Sequence, residues 1–122
     1  MKILLVEDQL INQKLMKSVL EKGGYEVSPA NNGEIALEML SQNKYDIILL
    51  DIQMPELNGY EVAIRLRELE KESGEHIPII AMTANSLAGD KEKCLASGMD
   101  DYIAKPLNMN DLNARIEALI KK

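Results

Sequence analysis

Three acidic side chains stand where apolar runs stop. Ile3-Leu4-Leu5-Val6 leads into Glu7-Asp8, and Ile47-Ile48-Leu49-Leu50 leads into Asp51. Two ionised carboxylates about 4 Å apart repel by roughly 4 kcal/mol at an effective dielectric near 20. Acids brought together in this way are a poor choice for stability alone, and a divalent cation would relieve them. Hard oxygen donors, few protein ligands and an open, wet rim favour Mg²⁺ over a caged Ca²⁺. An EF-hand is excluded, because the run DIQMPELNG from Asp51 has Gln53 and Pro55 at ligand positions and its glycine displaced. Two further groups follow strand candidates: Thr83 follows Ile79 to Met82, and Lys105-Pro106 follows the short, polar Asp101-Tyr102-Ile103. A hydroxyl and an ammonium beside a metal-bound carboxylate suit a small tetrahedral dianion. The chemistry those parts perform is phosphoryl transfer, with a carboxylate as nucleophile and the cations on the equatorial oxygens.

These groups can meet only if particular elements place them. Strands are expected at Ile3–Val6, Glu26–Pro29, Ile47–Leu50, Pro78–Met82 and Asp101–Ile103. Helical spacing lies between and after them. The first helix carries Ile11, Leu15, Val19 and Leu20 and stops at Gly23-Gly24, and the second carries Ile35, Ala36, Met39 and Leu40 after Asn32. The third carries Val62, Leu66 and Leu69; the fourth carries Leu87, Lys91, Cys94 and Leu95 and ends near Gly98. The fifth starts at the N-cap Asn108, carries Leu112, Ile116, Leu119 and Ile120, and ends on Lys121-Lys122.

Strict alternation of strand and helix implies an α/β fold, a parallel sheet with helices on both faces. The runs ILLV, IILL and IIAM are apolar on both faces and belong in the centre; EVSP, with Pro29, and the short DYI belong at the edges. Right-handed crossovers then give the order 2-1-3-4-5, a flavodoxin-like (βα)5 three-layer sandwich. In that order the first and third strands are neighbours at the point where the winding reverses, the usual ligand crevice of open parallel sheets.

The composition narrows the function. A chain of 122 residues with 46% hydrophobic content makes one domain, spanning 1–122. No run is long enough to span a membrane, no signal peptide is visible, and a cytoplasmic location is the plain reading. Cys94 is the one cysteine, so an internal disulfide and a cysteine zinc cluster are excluded. A net charge of −6 argues against direct nucleic-acid binding, and the absence of Trp and Phe leaves few stacking platforms. His76 has no acidic or cysteine partner at ligand spacing and reads as a surface histidine. Cys94 reads as a small core residue, and RLRELEKESGE as a solvated helix face with its exit loop.

Taken together and in order, Glu7-Asp8, Asp51 with MPELNG after it, Thr83-Ala84, Tyr102 and Lys105-Pro106 resemble the receiver domain of two-component response regulators, over the whole chain. The stretches DIQMPELNGYEV and IPIIAMTAN look most like receivers of hybrid sensor histidine kinases. The resemblance implies a role for each residue. Asp51 accepts a phosphoryl group from a phosphohistidine on a histidine kinase or histidine phosphotransfer protein. Asp8 and Asp51 ligate Mg²⁺ with the backbone carbonyl of Gln53, and Glu7 acts through a metal-bound water. Lys105 pairs with Asp51 and later with the phosphoryl group, Thr83 donates its hydroxyl to it, and the Lys105-Pro106 bond is cis. Tyr102 turns inward as Thr83 moves and changes the surface of the fourth helix, fifth strand and fifth helix. A downstream effector protein or domain reads that surface. Dimerisation is left open for the phosphorylated form of a monomer. Asn12, Gln13, Leu15, Met16 and Val19 are candidate kinase contacts.

On this reading the protein is no enzyme for outside substrates; it catalyses only its own phosphorylation and slow dephosphorylation. The alternative is a Mg²⁺-dependent phosphatase with an aspartyl nucleophile, of the haloacid-dehalogenase type. It needs a second Asp two positions after the nucleophile, where this chain has Gln53, and room for a cap domain. A flavodoxin-like electron carrier needs a hydroxyl-rich phosphate loop where this chain has EDQLIN. An interaction module with incidental acids is the blandest reading, and Mg²⁺ binding with a phosphoryl mimic separates it from the first.

Overall fold

The computed structural model describes residues 1–52, 59–83, 88–104 and 108–120. Within them the chain runs β1 (Lys2–Val6), α1 (Leu10–Lys22), β2 (Glu26–Ala30), α2 (Gly33–Gln42), β3 (Ile47–Asp51), α3 (Gly59–Ser73), β4 (Ile79–Thr83), α4 (Ala88–Ala96), β5 (Asp101–Ala104) and α5 (Met109–Ile120). The five strands form one parallel sheet in the order β2-β1-β3-β4-β5. The expected fold and order are therefore present, with Pro29 on one edge strand and the short β5 on the other.

Period-two alternation divides the core. Leu4, Val6, Ile48, Leu50, Ile79 and Ala81 face α2, α3 and α4, where they meet Ala36, Val62, Ala63, Leu66 and Cys94. Ile3, Leu5, Ile47, Leu49, Ile80, Met82 and Ile103 face the other way and pack on Leu20 of α1 and on Leu112 and Ile116 of α5. The central strands are buried on both faces, as their unbroken apolar runs required. Asn32 caps α2, its Oδ1 accepting from the Ile35 N–H at 2.8 Å. Asn108 caps α5, accepting from the N–H groups of Asn110 and Asp111 at 2.9 and 3.2 Å.

Helix faces differ from the expectation. Ile11 and Leu15 are 83% and 64% exposed, while Gln13 and Leu20 point inward. At about 100° per residue, Ile11 lies roughly opposite Leu20, so the four apolar positions of α1 never formed one stripe. On α3, Leu69 is exposed and Glu70 is buried; on α4, Leu95 is exposed beside the buried Cys94. Among the described residues no helix is long and apolar enough to cross a membrane.

Candidate functional site

β1 and β3 are hydrogen-bonded neighbours in register, Val6 opposite Leu50. The residues that follow therefore emerge side by side at the carboxyl edge. Glu7, Asp8 and Asp51 each bring one carboxylate oxygen within 4.8 Å of the others. Glu7 is fully buried and Asp51 only 3% exposed, while Asp8 is half-buried and opens the group to solvent. Among the described residues the donor set is carboxylate oxygen, its formal charge is −3, and one side reaches water. A hard divalent cation fits it, and a soft or nitrogen-seeking metal does not.

Two amides on α1 support the acids. Asn12 Nδ2 donates to Glu7 Oε1 at 3.5 Å and to Gln9 Oε1 at 2.7 Å. Gln13 Nε2 donates to the Glu7 carbonyl at 3.0 Å and to Asn31 Oδ1 at 2.8 Å, with the Ala30 carbonyl at 3.5 Å. Both residues were expected to meet a kinase. Gln13 cannot, because it is buried; its inward turn is the reason Ile11 and Leu15 face out.

The next strand brings Thr83. Asp51 is in register with Met82, so Thr83 stands one residue further toward the same edge, and it is fully buried. Ala104 of β5 pairs with Thr83. Lys105, the next residue, lies outside the described residues, as do Pro106 with its expected cis bond, Gln53 with its carbonyl, and the MPELN stretch. Tyr102 pairs with Ala81 and is half-buried against the core on the α2–α4 side.

Gly59 opens α3 directly behind the acids. A Cβ there would lie 2.6 Å from Ile52 Cα and 2.7 Å from the Asp51 carbonyl oxygen. Only glycine lets the helix start this close to the strand end.

A second polar group sits at the opposite edge of the sheet, and sequence spacing missed it. The Arg67 guanidinium is bonded to Glu70, to Asp100 Oδ2 at 2.8 Å and to the Gly98 carbonyl at 2.8 Å. Glu70 Oε2 accepts from Ile77 N–H at 2.6 Å, and Asp100 Oδ2 accepts from Ile79 N–H at 2.8 Å. His76 does have an acidic partner, Asp100 Oδ1 at 2.7 Å, although its ring is 58% exposed. The charged run on α3 is thus solvated on one side only. A cavity of about 690 Å³ opens near this edge, lined by Lys44, Tyr45, Glu75 and His76 among others. It lies away from the acids and holds no comparable convergence of groups.

The response regulator receiver domain family matches the chain over residues 3–117. The hybrid signal transduction histidine kinase I of Dictyostelium discoideum is 49% identical over 112 residues, which is 88% of this chain and 6% of that kinase. The chain thus spans a small fraction of the curated relatives it matches. Among solved structures, the receiver domain of sensor histidine kinase PA1611 from Pseudomonas aeruginosa PAO1 is 40% identical with a TM-score of 0.87, covering 99% of this chain and 98% of that one. That structure has a magnesium ion coordinated in its active-site cleft. The receiver domain of Ssk1 from Saccharomyces cerevisiae, solved with the histidine phosphotransfer protein Ypd1, is similar at 33% identity and a TM-score of 0.89, over 99% of this chain and 89% of that one.

Proposed function

The chain belongs to the response regulator receiver domain family, and from that premise we propose that residues 1–122 act as a phosphorelay receiver whose acceptor is Asp51. The single observation that carries the reading is the convergence of Glu7, Asp8 and Asp51 within 4.8 Å at the carboxyl ends of adjacent strands. Asp51 is the acid built into the strand itself, fixed by the β3–β4 ladder and aimed at the rim.

In the proposed reaction an Asp51 carboxylate oxygen attacks the phosphorus of a phosphohistidine. The P–N bond breaks, its electron pair leaves with the imidazole, and Asp51 becomes an acyl phosphate. Asp8 and Asp51, with Glu7 behind them, would hold Mg²⁺. Bound there, Mg²⁺ supplies positive charge for the acids and for the phosphoryl oxygens. Thr83 offers a hydroxyl donor one register position beyond Asp51, and Lys105 is assigned the balancing ammonium. Attack of water on the phosphorus later breaks the P–O bond to Asp51, releases inorganic phosphate and restores the carboxylate, so the domain resets without turning over an outside substrate.

The partner in this reading is a histidine kinase or histidine phosphotransfer protein. Leu10, Ile11, Leu15 and Val19 are exposed on α1 and form an apolar surface beside the acids, and the complex of the Ssk1 receiver with Ypd1 supports a donor of that kind. The output surface is assigned to α4, β5 and α5, with Thr83 and Tyr102 as its switch, for a downstream effector and for dimerisation in the phosphorylated state. A cytoplasmic location belongs to the same proposal.

The test is labelling by a small phosphodonor with Mg²⁺. Wild-type protein takes up a phosphoryl group that hydroxylamine and base remove, and Asp51→Asn takes up none. Persistent labelling of Asp51→Asn at another residue would overturn the assignment.

A further inference from the structure

Gln13 is 5% exposed, an unusual place for an amide on a surface helix. Its Nε2 has two N–H bonds, and three acceptors surround it: the Glu7 carbonyl at 3.0 Å, Asn31 Oδ1 at 2.8 Å and the Ala30 carbonyl at 3.5 Å. Glu7 and Ala30 are the residues at which β1 and β2 give way to their loops, and the Glu7 N–H already donates to the Ala30 carbonyl at 3.1 Å. One amide on α1 therefore ties together three segments: its own helix, the end of β1 and the turn into α2. Asn12, the preceding residue, donates to the Glu7 carboxylate. Adjacent side chains thus hold both the main chain and the side chain of the same acid.

We propose that Gln13 is a positioning residue for the acidic cradle, fixing the Glu7–Asp8 peptide so that both carboxylates meet Asp51 at metal-binding distance. The inference rests on the Mg²⁺-dependent reading of that site. Gln13 touches neither metal nor phosphoryl group; it acts through the Glu7 carbonyl. Rotation of the Glu7–Asp8 peptide is the motion that would carry Asp8 away from Asp51, and a bonded Glu7 carbonyl opposes it. Groups that orient metal ligands in this way commonly carry a tenfold to hundredfold share of metal affinity.

The position also explains why Gln13 contributes nothing to a docking face. Asn31, its third partner, is exposed at the β2–α2 turn. The amide therefore joins the cradle to a part of the rim that lies on the far side of β1 from Asp51.

The experiment is a calorimetric titration with Mg²⁺ alone, run on folded protein well below its melting temperature. Gln13→Leu keeps the volume and removes the donors; it should raise the Mg²⁺ dissociation constant about tenfold or more. Asn31→Ala removes one acceptor at an exposed position that will not threaten folding, and should weaken Mg²⁺ by a smaller factor. The double variant should match Gln13→Leu, because Asn31 acts on the cradle only through the Gln13 amide. At saturating Mg²⁺, labelling of Gln13→Leu by a small phosphodonor should return to the wild-type rate, which a misfolded or globally loosened site would not allow. A Gln13→Leu protein within about twofold of wild type in Mg²⁺ affinity overturns the inference while leaving the phosphorelay reading intact. If Gln13→Leu fails to fold, unchanged Mg²⁺ affinity in Asn31→Ala overturns it in the same way. Wild-type protein that takes up no Mg²⁺ overturns both.

Discussion

Removing one negative charge from the acidic cradle should make the metal-free protein more stable. Each ionised pair at the 4.8 Å limit repels by about 3.5 kcal/mol at an effective dielectric of 20. Asp51 belongs to two of the three pairs, so Asp51→Asn removes roughly 7 kcal/mol of gross repulsion. Two effects oppose it. The hydrogen bonds of the charged carboxylate, with the pairing to Lys105 assigned above, are lost, at roughly 1.5–3 kcal/mol each. Asp8 is half-buried, and solvent screens its share. A net gain of about 1–3 kcal/mol remains. With an unfolding entropy near 2.1 cal/mol/K per residue, 1 kcal/mol moves the midpoint of a 122-residue chain by about 4 °C. Asp51→Asn should therefore melt about 4–12 °C above wild type in chelator, by calorimetry or circular dichroism. Mg²⁺ at a hundred times its dissociation constant stabilises wild type by about 2.7 kcal/mol and should close or reverse the gap. A variant that melts level with wild type or below it in chelator would refute the reasoning from clustered acids.

Three other outcomes follow from the structure. Arg67→Met leaves Glu70 and Asp100 without their cation and should cost about 3 kcal/mol or more, against less than about 1 kcal/mol for His76→Ala at its exposed position; equal losses in chemical denaturation would discredit the ranking. Gly59→Ala places a methyl 2.6 Å from Ile52 Cα and should cost about 1–3 kcal/mol, seen as a lower midpoint at unchanged denaturant slope; a neutral result would mean that α3 can slide away from Asp51 freely. Burial, with the Glu117 charge adding to it, holds the Tyr25 phenol above its ordinary value of 10.0. Unfolded chains therefore lose that proton first as pH rises past 10, and stability falls through the folded-state value. Tyr25→Phe should show a flatter alkaline decline in melting temperature, and an unchanged slope would rule Tyr25 out as its source.

The carboxyl edge was legible because parallel sheets obey two rules visible in one dimension. Unbroken apolar runs mark central strands, and the residue after each run must emerge at the same edge. Glu7, Asp8, Asp51 and Thr83 follow from those rules. The faces of the helices did not follow. Hydropathy identifies Ile11 and Leu15 as apolar without saying which way α1 is rotated, and a surface kept apolar for a partner looks the same in sequence as a buried one. Gln13 and Glu70 turned inward because each meets bonding partners that lie elsewhere in the chain. For Gln13 one of these is Asn31, 18 residues away, and the links that complete the Glu70 cluster run from His76 and Arg67 to Asp100, across 24 and 33 residues. Separations of that size carry no local signal.

The two edges of the sheet solve opposite problems with the same side-chain types. At the amino edge, Arg67 sits between Glu70 and Asp100, and the four carboxylate oxygens are met by the guanidinium, two backbone N–H groups and the His76 ring. One guanidinium offsets one of the two negative charges there, and every carboxylate oxygen has a hydrogen-bond partner, which is what a buried ionic group requires to be tolerated. At the carboxyl edge, Asn12 and Gln13 supply amide donors, yet three carboxylates still face one another. Dipoles can orient those acids, and the Lys105 ammonium assigned to Asp51 offsets one charge of the three, which leaves a net negative charge for a cation. On the proposed reading, stability at the first edge is intrinsic, and at the second it responds to a bound cation. The distinction is measurable with the variants already named. Arg67→Met should lower the melting temperature by the same amount in chelator and in Mg²⁺. The difference between Asp51→Asn and wild type should shrink or change sign between the two buffers. If Mg²⁺ shifted both differences alike, the two edges would not be independent, and the assignment of metal response to the carboxyl edge alone would be wrong.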